Sequence, residues 1–383
     1  MTIAQESWER AVEILDGANE VALACHVDPD GDALGSMLAF GRFLRSRGVR
    51  TWASWGSPTA QRAPLMVPPQ YTFLPGLDDL ISPEQFPQAP EVMVVFDCST
   101  PQRLGTLRGS AEAAGTVIVV DHHASGVPFG DIRLVDGGAA ATAVLVSRLI
   151  KRMGGELDKQ MAVCLYVGLV TDTGRFQYAS TTPEVMRLGA ELIAHGIDHA
   201  AINRQVWDTH SFGYLKVLGR ALARARMVPE AALAWTVIYQ DDLDDLGVSM
   251  AETEGLIDTL RAVEAAEVSM VAKEQDDRRW RVSLRSRGAI DVGKVTQRLG
   301  GGGHTFIAGF VGTGSIEDVV DAVCRVLADD DELSVLGSAP VSRPAVSGPA
   351  ASEPAASAPA ASEPPVSEAG ARAAGAPPRA VVG

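Results

Sequence analysis

Apolar residues follow two rhythms along this chain. Short unbroken runs, EVALAC (20–25), RTWASW (50–55), EVMVVFDC (91–98) and GTVIVVDH (115–122), have the length and β-branched content of strands covered on both faces. Between and after them, apolar positions recur at helical spacing in DALGSMLAFGRFLRSRG, ATAVLVSRLIKRMGG, DKQMAVCLYVGLVTD and TPEVMRLGAELIAHG, several of which close on glycine. The alternation predicts an α/β domain over 1–195 with a mainly parallel sheet flanked by helices. The stretch HAAINRQVWDTHSFGYLKVLGRALARA predicts a helical connector over 196–226. Strands AALAWTVIYQ, EVSMVAKEQ and RRWRVSLRS, with helices TEGLIDTLRAVEAA and SIEDVVDAVCRVLAD, then predict a smaller α+β domain over 227–333. From 334 to 383 the chain turns to Ala, Pro and Ser with few large apolar residues, which predicts a disordered tail.

Composition narrows the class. A chain of 383 residues with 46% hydrophobic content can fill two cores. Its longest apolar runs are strand-length, and MTIAQESWERAVEIL has neither the basic nor the apolar region of a signal peptide, so a cytoplasmic protein with no membrane association is expected. Cys25, Cys98, Cys164 and Cys324 are scattered without CxxC spacing and read as reduced core residues. The net charge of −15 argues against stable binding of duplex nucleic acid. It leaves room for a small anionic substrate, because a bound cation reverses the local field. Only 5% of residues are aromatic, which disfavours a base-stacking platform along a single strand.

The chemistry concentrates where strands end. HVDPDGDALGS (26–36) crowds Asp28, Asp30 and Asp32 beside His26, and such carboxylates repel unless something positive lies between them. A second strand ends at Asp97, a third at Asp121, His122 and His123, and a helix ends at Asp172. Histidine and aspartate without cysteine suit hard or borderline divalent ions, Mn²⁺ or Mg²⁺ before a structural Zn²⁺. There are more such groups than one ion needs, which favours two ions about 3.5–4 Å apart sharing a carboxylate, an arrangement suited to displacement at phosphorus. Blander roles compete: Asp32 and Asp97 could simply cap helices or bind backbone amides, and the Pro29 turn can aim Asp28 elsewhere. His195, His199 and His210 have no acidic constellation and read as surface or interlobe residues. In RLGGGGHTFIAG (298–309), Gly300 to Gly303 would ruin a helix or strand interior but suit backbone that approaches an anion. Gly301, Gly302, Gly303 and His304 are therefore candidate substrate contacts, with Arg285, preferred over Arg287, as a bidentate phosphate ligand.

The five motifs HVDPDGDALGS, VVFDCS, VDHHAS, GLVTDTGRF and GGGGHTFIAGF, in that order, resemble the DHH/DHHA1 phosphoesterases over about 20–330, and among them the NrnA-like nano-RNase and pAp-phosphatase type. The resemblance implies a DHH lobe and a DHHA1 lobe with the active site in the cleft between them. It implies His26, Asp30 and Asp97 around one Mn²⁺ (Mg²⁺ or Co²⁺ being alternatives), and Asp32, Asp97, His122 and Asp172 around a second, Asp97 bridging. Asp121 would orient His122, His123 would face the substrate, and His304 with the glycine loop and Arg285 would hold its phosphate end. His123, Asp97 and His304 are the residues expected to act in catalysis. Implied substrates are short oligoribonucleotides, dinucleotides such as pApA, cyclic-di-AMP and 3′-phosphoadenosine 5′-phosphate; a homodimer is the implied assembly. Ile307 departs from the alanine usual at its position. A RecJ-like single-strand exonuclease, a family II inorganic pyrophosphatase and a non-enzymatic nucleotide sensor are the rival readings.

Overall fold

The computed structural model describes residues 3–57, 65–123, 126–275, 279–303, 305–328 and 333–335. His304 and, beyond Val335, the Ala/Pro/Ser-rich segment lie outside the described residues. The chain opens with α1 (Gln5–Gly17), then β1 (Glu20–Cys25), α2 (Gly31–Ser46), β2 (Arg50–Trp55), β3 (Val92–Phe96), α3 (Arg108–Glu112), β4 (Thr116–Asp121) and β5 (Ile132–Val135). Helices α4 (Thr142–Arg152), α5 (Lys159–Asp172), α6 (Pro183–Ala194), α7 (His199–Trp207) and α8 (Phe212–Ala223) follow. The second lobe contains β6 (Arg226–Val228), β7 (Leu233–Ile238), α9 (Gln240–Asp244), α10 (Leu256–Leu260), β8 (Val268–Glu274), β9 (Arg279–Ser286), α11 (Val292–Arg298), β10 (Gly302–Gly303), β11 (Ile307–Thr313) and α12 (Ile316–Ala328).

In the first lobe five parallel strands run in the order β2-β1-β3-β4-β5. The apolar runs explain the layers: β3 is buried at every position, and β1 at all but its first, because helices cover both faces. Chain order reverses between β1 and β3, so their carboxyl ends open a crevice at the point where ligands of such sheets bind. The short strand β5, whose burial alternates, carries too weak an apolar signal to have been predicted.

Helices α2 and α5 cross antiparallel in close contact, which brings the start of α2 and the end of α5 to the same crevice. Small residues allow this. A Cβ on Gly35 would fall 2.3 Å from the Cys164 carbonyl oxygen, and one on Gly168 would fall 2.5 Å from Asp32 Oδ1.

In the second lobe six strands form a mixed sheet, β10-β11-β9-β8-β7-β6, with only β7 and β8 parallel. Strand β9 alternates: Trp280, Val282 and Leu284 face a core shared with α11 and α12, whereas Arg281, Ser283 and Arg285 face the other way. That second face also packs Ala234, Ile238 and Val271 against Val217 and Ala221 of α8. The expected helical connector is two helices, separated after Trp207, and α8 lies on the second sheet. The glycine run is not one open loop. Gly300, at φ +80°, closes α11: the Gly301 amide donates to Thr296 O and the Gly300 amide to Gln297 O. Gly302 and Gly303 then pair with Gly309 and Ala308 of β11 as strand, contrary to the expectation that four glycines would exclude one. A Cβ on Gly301 would meet the Gly309 carbonyl at 2.2 Å. Close backbone approach is required here, and its partner is β11.

Cys25, Cys98 and Cys164 are buried and Cys324 half-buried, all unbridged. No helix among the described residues is long and apolar enough to cross a membrane. Because the α2–α5 crossing leaves no room for a methyl group, Gly35→Ala is expected to lower unfolding free energy by about 1–3 kcal/mol. Gly17→Ala, with nothing within 4 Å of the new methyl, should leave it unchanged or slightly higher. Equilibrium urea unfolding of both variants checks the contrast.

Candidate metal centre

Each acidic or imidazole group expected at the site arrives by a local structural necessity. Strand β1 ends at Cys25 and hands His26 to the crevice. Asp30 is the N-cap of α2, accepting from the amides of Asp32 (3.1 Å) and Ala33 (3.0 Å). Asp32, in the first turn of α2, caps a different helix: it accepts from the Thr142 amide through Oδ2 and from the Ala143 amide through Oδ1 at 2.9 Å, the first two amides of α4. Ser36 Oγ donates to the same Oδ1 at 3.2 Å. Asp97 follows β3 with φ +54°, a left-handed conformation costing about 1–3 kcal/mol for a residue with a Cβ. Strand β4 delivers Asp121, His122 and His123, and α5 ends on Asp172.

These groups meet. His26 Nε2 lies 3.5 Å from Asp97 Oδ2 and 3.8 Å from Asp30 Oδ2. His122 Nε2 lies 2.9 Å from Asp172 Oδ2, 3.5 Å from Asp97 Oδ1 and 3.9 Å from Asp32 Oδ2. Asp97 therefore turns one oxygen to each of two clusters, His26–Asp30 and Asp32–His122–Asp172, in each of which one ligand atom per residue lies within 4.8 Å of the others. A third such group joins Asp97, His122 and His123. Thr142 Oγ1 donates to Asp97 Oδ1 at 2.9 Å and holds it in this attitude.

The imidazoles reveal what belongs between the carboxylates. His26 Nδ1 donates to the Val27 carbonyl at 2.7 Å, so Nε2 of the neutral ring presents a lone pair. That atom is buried with no hydrogen-bond partner and faces two carboxylate oxygens. Acceptors facing acceptors require a cation, either a proton or a metal ion. Burial draws the His26 imidazolium down, but Asp30 and Asp97 more than reverse this and hold it up to about 10. Burial pushes the Asp172 carboxyl up to about 6 against the pull of His122. Burial raises Asp32 as well, helped by Asp172 and Asp97. The donor set fits a pair of divalent ions: oxygens and imidazole nitrogens, no thiolate, and a carboxylate open on both sides.

One expectation about neighbours needs correction. Asp121 does not orient His122. Its Oδ1 accepts from His123, from the amide at 3.1 Å and from Nδ1 at 2.6 Å, while His122 Nδ1 donates to the Ala139 carbonyl at 3.2 Å. The doublet thus has two different supports, because consecutive residues leave a strand in different directions. Asp28, at φ +51°, is exposed and apart from the clusters. His195 closes α6, His199 lies edge-on to Tyr166, and His210 stacks on Tyr214 at 4.2 Å. Arg285 is half-buried on the second sheet: Nη1 donates to Leu284 O at 3.1 Å, and buried Nε has no hydrogen-bond partner. Ile307 pairs with it across β11 and β9, so the departure from alanine sets a larger apolar neighbour beside the arginine. Arg287 spends Nη1 on the Val263 carbonyl. Thr142 and the Ala139 carbonyl were missed from sequence, since nothing in GGAAATAV marks a residue that touches a carboxylate 45 positions away.

Comparison with known proteins agrees with this geometry. Residues 20–169 match the DHH family, N-terminal domain, and 232–329 match the DHHA1 domain. The chain is 30% identical over 307 residues to the bifunctional oligoribonuclease and PAP phosphatase NrnA of Thermus thermophilus, covering 79% of this chain and 88% of that one. It is 27% identical to the protein of the same name from Bacillus subtilis, covering 82% and 94%. An exopolyphosphatase-related protein from Bacteroides fragilis superposes with a TM-score of 0.76 at 25% identity, over 85% of this chain and 96% of that chain. The chain belongs to the DHH family and is a metal-dependent hydrolase of the phosphoesterase class.

Because protons hold places that divalent ions would take, Mn²⁺ uptake at pH 7 should release protons, chiefly from His26, and its apparent affinity should rise from pH 6 toward pH 9. Titration calorimetry in two buffers of different ionisation enthalpy reads the release directly; equal heats in both would contradict it.

Proposed function

We propose that this enzyme hydrolyses short oligoribonucleotides, including dinucleotides such as pApA, and removes phosphate from 3′-phosphoadenosine 5′-phosphate, using two divalent ions. The observation that carries this reading is Asp97, whose two oxygens face separate clusters across the β1/β3 crevice. His26, Asp30 and Asp97 would hold one ion; Asp32, Asp97, His122 and Asp172 would hold the other. Mn²⁺ suits this imidazole–carboxylate set. When bound, such a pair supplies Lewis-acid polarisation of phosphate oxygens and an acidified water.

The chain's own residues do the rest. Thr142 and the amides starting α4 fix the attitudes of Asp97 and Asp32, so ligand geometry is set before substrate arrives. Asp121 holds His123 by its Nδ1, which leaves Nε2 as the ring nitrogen able to hold or move a proton at a substrate oxygen. Arg285, with a spare buried N–H, supports the placement of a terminal phosphate on the second lobe. His304 and Gly301 to Gly303 are proposed to join it.

The relatives' names, which pair oligoribonuclease with PAP phosphatase, support the substrate class. Cyclic-di-AMP extends the same chemistry to a cyclic dinucleotide. Unbridged, mostly buried thiols support a cytoplasmic setting. Exposed Phe212, Leu215 and Leu222 in one row on α8 support self-association as a homodimer.

With Mn²⁺, the protein should cleave pApA and 3′-phosphoadenosine 5′-phosphate and leave pyrophosphate essentially untouched. Preferred hydrolysis of pyrophosphate would replace this reading with the pyrophosphatase one. Asp97→Ala should lose about 10⁴-fold or more in kcat/KM with its circular dichroism retained. Thr142→Val, which removes only the hydroxyl on Asp97, should lose about 10–100-fold in activity or metal affinity.

A further inference from the structure

Immediately after Asp172 the chain makes a turn that the chemistry above does not use. Gly174, Arg175 and Phe176 all have positive φ (+54°, +60° and +63°). The turn is nevertheless held firmly. Thr173 O accepts from the amides of Gln177 (2.9 Å) and Tyr178 (3.0 Å), Thr173 Oγ1 accepts from the Phe176 amide at 3.1 Å, and the Arg175 amide donates to Val170 O at 2.8 Å. Phe176 packs toward the first-lobe core, where a Cβ on Gly189 would touch its ring at 3.2 Å. The Tyr178 ring lies against Gly174, so closely that a Cβ there would stand 2.4 Å from it. Two left-handed residues bearing side chains in succession are retained only where surroundings over-determine them, which is typical of functional segments.

The turn presents two side chains outward, and both are gripped by other parts of the molecule. The Arg175 guanidinium lies 5.0 Å from the Trp207 ring centroid and 3.9 Å from Asp208, at the end of α7. Tyr178 takes the guanidinium of Arg261, 5.2 Å from its centroid, and Arg261 follows α10 in the second lobe. The nearest carboxylate to Arg261, Asp258, is 3.9 Å away, too far for a hydrogen bond, and buried Arg261 Nε has no hydrogen-bond partner. The ring face is thus a principal partner for that cation. Tyr178 also feels charges of both lobes: burial and Asp258 raise its hydroxyl, Arg285 and Arg261 lower it, and Asp172 raises it further.

We infer that Tyr178 and Arg261 form a clasp between the lobes, a pair of positioning residues that sets the second lobe's phosphate-binding face at a fixed reach from Asp172 and the clusters around it. The clasp is rooted six residues after Asp172 in a stiff turn, so the position of the second lobe is referred directly to the metal-ligating end of α5. It serves a substrate that spans both lobes and is irrelevant to one that occupies the first lobe alone. The inference rests on the reading proposed above for the site.

The test uses the full chain with Mn²⁺ and the variants Tyr178→Leu, Tyr178→Phe, Arg261→Met and the double Tyr178→Leu/Arg261→Met. On pApA, Tyr178→Leu and Arg261→Met should each lower kcat about five- to tenfold with KM within about twofold, a loss of the size one partly desolvated cation–π contact can carry. The double variant should fall no further, and Tyr178→Phe, which keeps the ring, should behave as wild type. Hydrolysis of bis(4-nitrophenyl) phosphate, with no second phosphate for the distant lobe, should be unchanged throughout. Additive losses in the double variant, an equal loss on the small ester, or a rise in KM confined to Tyr178→Leu would overturn the clasp; the last would make Tyr178 a substrate contact. Spin labels at Arg187→Cys and Glu317→Cys, in a Cys324→Ser background, give a readout independent of turnover. The interlobe distance distribution should broaden in Tyr178→Leu and Arg261→Met and stay narrow in Tyr178→Phe, and an unchanged distribution in all three would refute the clasp whatever the kinetics. If wild type fails to cleave pApA, the proposed function fails while the distance measurement still judges the clasp.

Discussion

The arrangement of this protein depends on carboxylates held closer together than like charges tolerate. Asp30, Asp32, Asp97 and Asp172 converge on one crevice, three of them on His26 and His122 at separations of 2.9–3.8 Å. Most of the cluster is removed from bulk water, so its mutual repulsion is weakly screened. The fold supplies partial compensation from backbone: α2 and α4 both begin here, and their first amides are satisfied by Asp30 and Asp32. The remaining demand for positive charge falls on the imidazoles or on divalent ions. That single electrostatic requirement explains why Asp30 and Asp97 raise the His26 imidazolium, against its burial, to about 10, and why its Nε2 finds no ordinary partner.

Meeting that requirement governs distant parts of the chain. The parallel sheet must reverse its order between β1 and β3 for His26 and Asp97 to be neighbours. Helices α2 and α5 must cross at glycines for Asp32 and Asp172 to reach the same cluster. Asp97 must accept a left-handed backbone so that its carboxylate is aimed between the two clusters instead of along the strand. Each is a stability cost taken at a functional position and offset by a large apolar core beneath it.

Much of this was legible beforehand. Short apolar or β-branched runs identified β1 to β4, glycine endings identified several of the helices, and Asp or His at the ends of β1, β3 and β4 marked the carboxyl edge of the sheet. Weakly patterned elements were not legible. β5 and β6 are short, with at most one buried residue in every two, and β10 consists of two glycines that no propensity would assign to a strand. The glycine run looked like a pure anion loop because glycine signals close backbone approach without saying to what. Here Gly301 and Gly303 approach β11, and Gly300 closes a helix.

The sequence by itself determined the chemical inventory: which oxygens and nitrogens are available, that they stand at strand and helix ends, and that no thiol joins them. Those facts follow from residue type and local periodicity, which are properties of neighbours along the chain. Only the tertiary structure decided the pairings. Asp32 caps α4 rather than α2, Asp121 supports His123 rather than His122, Thr142 holds Asp97, and Arg261 meets Tyr178 across the lobes. The first, third and fourth of these join residues 45 to 111 positions apart, so they are set by how sheets and helices stack. The second turns on which way consecutive side chains leave a strand end, and neither is encoded in local pattern.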